Sequence, residues 1–169
     1  MRFAMGALSL VATGCAPHPG DHYTVDLDPA FSAEQQADVL AALDDWQAHV
    51  PVHLSPVISA CAGSHDGEIC VHSSTRDEIV RHHGAGSTTY GITFGSSSGE
   101  DVDGGEIWIA ADVIPDGDFQ GTIAHELGHG MGLEHETIAS GCLMAPSEDG
   151  WSRVVTPADV AQWLRIRGR

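Results

Sequence analysis

Hydrophobic and polar residues follow two rhythms along the chain. His22 to Leu27 (HYTVDL) alternates as a strand does. Ser32 then stands as an N-cap, with Gln35 at the third position of a capping box. Behind it Val39, Leu43, Trp46 and Val50 recur at three- and four-residue spacing, the buried stripe of a helix that Pro51 ends. Val52 to Ile58, Glu68 to His72 and Ser87 to Phe94 are the next expected strands, the last punctuated by Gly84, Gly86, Gly95 and Gly99. Ser96 to Gly105 reads as a Ser/Gly/Asp loop. Ile107 to Ala110 (IWIA) is apolar throughout, as in a strand buried on both faces. After the polar turn Pro115-Asp116-Gly117-Asp118, Ile123, Leu127 and Met131 mark a helix, and Thr156-Pro157 opens a last one with Val160, Trp163 and Leu164 on its apolar side. The order β, α, β, β, β, β, helix, irregular segment, helix predicts an α+β domain whose helices pack on one sheet.

Composition narrows the class. A chain of 169 residues with 42% hydrophobic and 18% charged residues is one globular domain's worth. Seven basic residues against 24 acidic ones give a net charge of −17, which argues against nucleic acid and anionic membrane surfaces as partners and leaves cationic substrates or plain solubility. Met1-Arg2 followed by the apolar run Phe3 to Ala12 is too short to span a bilayer but suits a signal sequence. Ala12-Thr13-Gly14-Cys15 resembles the lipobox of bacterial lipoproteins, which implies cleavage before Cys15 and its lipidation. The expected division is therefore a signal over 1–14, a linker over 15–21 and one domain over 22–169. Export permits disulfides. Cys61 and Cys70 bracket a Gly/Ser/Asp-rich loop and are the first choice for a bridge, although Cys142 could pair with either.

The chemistry is concentrated in HELGHGMGLEH, residues 125–135. On a helix, His125 and His129 lie about 400° and 6 Å apart, so both rings point the same way one turn apart, as two ligands of one tetrahedral zinc require. Glu126 is rotated by about 100°, near enough to reach a water on that ion without being a ligand. His135 would fall on roughly the opposite face of a continuing helix, so it can join the ion only if the chain turns back. Gly132 stands where that break is needed, since glycine takes positive φ without a Cβ penalty. Residues of this composition would scatter into H-E-x-x-H-x-x-G-x-x-H on the order of a few times in ten thousand. Three neutral imidazoles would leave zinc doubly charged with an open position for water, and Glu126 would serve as general base in attack on a carbonyl.

This eleven-residue pattern is the signature of the metzincin zinc peptidases, and the chain resembles that clan over roughly residues 22–167. Gly141-Cys142-Leu143-Met144-Ala145-Pro146 is similar to its methionine turn, with Met144 as the methionine. The wording of motif and turn, the strand led by Gly104-Gly105, and the helix start Thr156-Pro157-Ala158-Asp159-Val160 resemble the matrixins in particular. The resemblance implies a metzincin-like fold: a twisted, mixed five-stranded sheet with an N-terminal helix, an active-site helix and a C-terminal helix. It also implies one catalytic zinc and an endopeptidase. The strand containing Tyr90, Gly91, Ile92 and Thr93 would pair with substrate, with Trp151 as a wall of the pocket beyond the scissile bond. Glu136 departs from the matrixin pattern, where serine is usual, and resembles the astacins, whose tyrosine after the methionine is absent here. The matrixins' structural-zinc pattern is also missing, so no second zinc is expected. With about seven residues between Cys15 and the first strand, no inhibitory propeptide is expected either.

Other features read more plainly. Glu100-Asp101-Val102-Asp103 offers carboxylates of the kind Ca2+ takes, but a solvated loop is the simpler reading. His82-His83 has no third ligand in phase and reads as surface; Cys142 reads as a disulfide half or a buried thiol. The expected protein is a monomer in the cell envelope or secreted. Its partner would be a peptide or protein substrate, and it would touch a membrane through the lipid on Cys15. The competing reading is a non-catalytic, peptide-binding lipoprotein on the same fold with a structural zinc.

Overall fold

A computed structural model describes residues 22–63, 67–84, 86, 89–98, 101–115, 117–136, 141–146 and 152–168. Cys15, Ser87, Glu100 and Trp151, singled out above, lie outside these. Strand β1 (His22–Leu27) leads into helix α1 (Ala33–His49), whose Ser32 side chain and Gln35 form the expected capping box. Then come β2 (His53–Ile58), β3 (Glu68–Ser74), a short helix α2 (Arg76–His83), and the hairpin of β4 (Gly91–Ser98) and β5 (Asp101–Ala110). Helices α3 (Phe119–Gly130) and α4 (Pro157–Ile166) complete the order.

The sheet runs β2-β1-β3-β5-β4. Every neighbouring pair is parallel except β4 with β5, so the sheet is mixed, with β4 antiparallel at one edge. At the other edge β2 carries Pro56, which donates no hydrogen bond and discourages further pairing. Helices α1 and α3 meet on one face, where Trp46 Nε1 donates to Ala124 O at 2.8 Å. Between them and the sheet lies a core of Val25, Leu27, Val39, Leu43, Ile69, Ile107, Ile109, Ile123 and Leu127, all at most 1% exposed. On the far face Cys61 is bridged to Cys70 with Cα atoms 5.8 Å apart, while Cys142 is buried and lies outside that bridge.

Several expectations need correction. Helix α2 was not foreseen, because Ile79 is its one buried residue and eight residues with a single apolar anchor show no stripe. Its His83 is half-buried, tilted against Trp108 and Phe94 with ring centroids 4.8 and 5.1 Å away, so only His82 of the pair is plainly surface. The segment expected as a loop is strand at Ser96–Ser98, in β4, and at Asp101–Gly105, in β5, and the fourth strand begins at Gly91. Its glycines belong to close packing: a Cβ on Gly105 would stand 2.7 Å from Phe94 O and 3.3 Å from Gly95 Cα. Gly104, with φ of 149°, sits opposite the register shift between Ser96 and Ser97, where a bulge needs glycine's freedom. Asp101 and Asp103, offered as calcium ligands on a loop, therefore lie within β5. Finally, Trp108 is only half-buried; its neighbours Ile107 and Ile109 face the core while it stacks on His72 on the other side.

Candidate metal centre and its carboxylate

Helix α3 brings His125 and His129 to one side, and the chain reverses just after them. Leu133 N donates to Gly128 O and Gly132 N to His129 O, both at 2.9 Å, the paired bonds of a Schellman motif. Gly132 takes the left-handed position with φ of 91°. The reversal brings His135 alongside the first two rings. The three Nε2 atoms then form a nearly equilateral triangle with sides of 3.2, 3.2 and 3.3 Å.

No proton bridges His125 and His129. His125 Nδ1 sits 2.7 Å from Leu143 O, and His129 Nδ1 2.7 Å from Leu133 O. A carbonyl only accepts, so each Nδ1 carries the proton, and in the neutral rings the Nε2 lone pairs face one another. Burial favours the neutral form: it pulls His125 down to about 4 against the opposing pull of the Leu143 carbonyl, and lowers His129 in the same way. Converging lone pairs call for a cation. A tetrahedral ion about 2.0–2.1 Å from each nitrogen requires nitrogens roughly 3.3 Å apart, so these donors fit zinc.

The backbone that aims the rings comes from two turns, of which the motif marks the first through Gly132. Leu133 belongs to the helix-ending reversal. Leu143 belongs to the methionine turn, which is held by the fully buried Asp159: its two oxygens accept from Leu143 N (3.1 Å) and Met144 N (3.0 Å). Asp159 also accepts from Thr156 N and Oγ1, closing the capping box of α4. Met144 is completely buried beneath α3, where its thioether occupies the space a side chain at Gly128 would need. Sequence reasoning passed over Gly128 and named Asp159 only within the start of the last helix, not for its hold on the turn around Met144, although a glycine inside a helix and a T-x-x-D cap were both visible signals.

Glu126 points toward β4. The residue is 7% exposed, and Thr93 Oγ1 lies 2.6 Å from its Oε2. Burial lifts this carboxyl to about 7, with the Thr93 hydroxyl pulling the other way. Strand β4 passes so close that a Cβ on Gly91 would stand 2.7 Å from Glu126 Cγ and Oε1. Ala110 N donates to Tyr90 O at 2.8 Å, making them a hydrogen-bonded pair. By alternation Ile92 bonds inward to β5, while the N–H and C=O of Gly91 and Thr93 are directed at the open edge. The Tyr90 ring lies under the Arg76 guanidinium at 4.7 Å, away from the histidines' side of the strand. Trp151 falls outside the described residues.

Two further groups of possible ligand atoms occur among the described residues, Cys61 with Cys70 and His72, and Asp26 with Cys61 and Glu68. Both require sulfurs that the bridge already engages.

No protein-family model and no curated protein sequence matches the chain. Among solved structures, archaemetzincin from Methanopyrus kandleri is similar, with a TM-score of 0.56 and 14% identity over 92% of this chain and 100% of that one. Sheet order, helix placement and this likeness together give the chain a zincin-like fold.

Proposed function

We propose that the protein is a zinc-dependent endopeptidase whose ion is held by His125, His129 and His135. The observation that carries this reading is the triangle of three imidazole Nε2 atoms beside a buried carboxylate, below the edge strand β4. Gly91 and Thr93 offer outward main-chain donors and acceptors on which an extended peptide can lie as an added strand. Bound zinc would supply Lewis acidity that polarises the scissile carbonyl and eases deprotonation of the attacking water. Glu126 accepts that proton and returns it to the leaving nitrogen. A purely structural site has no use for such a base.

The test is cleavage of a random peptide library with and without a hydroxamate chelator. Chelator-sensitive cleavage is expected, and Glu126→Gln should retain zinc while losing on the order of 10²–10⁴ in kcat. A wild-type chain that binds peptide and zinc but cleaves nothing would instead be a peptide-binding module.

The same reading places the enzyme outside the cytoplasm, with a lipid on Cys15 and a monomeric domain behind it. The Cys61–Cys70 bridge supports an oxidising compartment. Mass spectrometry of the mature N-terminus should find a diacylglyceryl-modified Cys15; an unmodified residue there would leave secretion as the route.

A further inference from the structure

Resting on the peptidase reading, we propose that Gly91 and Thr93 form a cradle that sets the Glu126 carboxylate and ties its placement to the strand on which substrate lies. Both are positioning residues, acting through Glu126. The two are two apart on β4, so they present the same face of the strand to α3. Each takes charge of one carboxylate oxygen. Thr93 Oγ1 donates to Oε2 at 2.6 Å, a charge-assisted bond to a carboxylate shielded from water. Gly91 presents bare backbone to the side-chain stem and Oε1, which would meet a Cβ at 2.7 Å. With one oxygen bonded and the other walled in, the carboxylate cannot turn about its own axis. The same Thr93 hydroxyl packs 3.2 Å from Glu126 O, against the helix backbone, while its one proton goes to the carboxylate.

These residues are also the ones whose N–H and C=O face the open edge. A peptide that adds to β4 at Gly91 and Thr93 therefore pulls on the segment that holds the base. Base and substrate share one strand as their reference, so a shift of β4 moves both together.

The alternative role for Thr93 is to satisfy a buried carboxylate, with no consequence beyond stability. Zinc-loaded full-length Thr93→Val and Thr93→Ser separate the two. Loss of a bond to a charged group should lower kcat of the Val variant by about ten- to a hundredfold. KM and zinc affinity, the latter read by competition with a chromophoric chelator, should stay at wild-type values, and Ser should restore most of kcat. A crystal structure of Thr93→Val should show the Glu126 carboxylate rotated from its wild-type direction. Gly91→Ala should give the same kcat signature with the Thr93 hydroxyl intact. A rise in KM alone, weakened zinc, or a Glu126 carboxylate that keeps its direction without the hydroxyl would each overturn the cradle. If the wild-type chain cleaves no peptide, the peptidase reading fails, and the carboxylate direction in Thr93→Val still decides whether the cradle exists.

Discussion

Glycine at position 128 shows how two opposing effects are weighed at a single residue. Inside a helix, Gly→Ala ordinarily stabilises by about 1 kcal/mol. Here the added methyl would run into the Met144 thioether, with Trp46 Cζ2 3.2 Å away on the other side. Both neighbours are fully buried, so neither can swing aside into solvent. Overpacking of this kind costs about 1–3 kcal/mol and outweighs the propensity gain. Gly128→Ala should therefore unfold at lower urea, with an unchanged slope; an increase in the midpoint would show that Met144 repacks freely. The ligand histidines were legible in the sequence because their logic is local: a four-residue helical step and a glycine break. Thr93 was legible only as part of a strand. Its contact with Glu126 spans 33 residues and depends on how the β4–β5 hairpin crosses α3, which no local pattern encodes.

Among the elements, the reversal after α3 does the most for the centre. The Schellman motif at Gly132 ends the helix, supplies the Leu133 carbonyl that orients His129, and aims the chain so that His135 returns. Forcing an L side chain into the left-handed conformation costs roughly 1–2 kcal/mol. Gly132→Ala should lose about that much stability, and its zinc affinity should fall by at least as large a factor, because two of the three rings take their aim from this turn. Equilibrium unfolding and chelator competition would measure the two losses separately; full zinc affinity would mean the turn tolerates a side chain. The capping boxes, the α1 stripe and the order of strands were readable from the sequence. The hairpin and α2 were not, for physical reasons. Glycines that let strands approach closely look like loop residues in a linear text, and a helix buried through Ile79 alone has no period to detect.

For the molecule as a whole, the ion would act as a cross-link. His125 and His129 belong to α3, His135 to the segment beyond it, and the carbonyl that orients His125 to the methionine turn anchored on α4. Zinc bound only by the native arrangement would add about 4 kcal/mol at a free concentration a thousandfold above its Kd. Calorimetry should accordingly show a Tm that rises with added zinc and falls back with a chelator, in wild type and in Glu126→Gln alike. A Tm indifferent to zinc would count against the site. Substituting His135 should abolish the shift while leaving the metal-free Tm near wild type, since that ring is exposed.

Asp159 adds an order in time to this architecture. All three imidazoles are synthesised well before the carboxylate that fastens Leu143 and Met144, and through the Leu143 carbonyl the first of those rings. A growing chain would thus carry the whole histidine motif while the loop that aims His125 still hung untethered. The aim of His125 is therefore completed only once the segment beginning at Thr156 has wound into its helix and brought Asp159 to the turn.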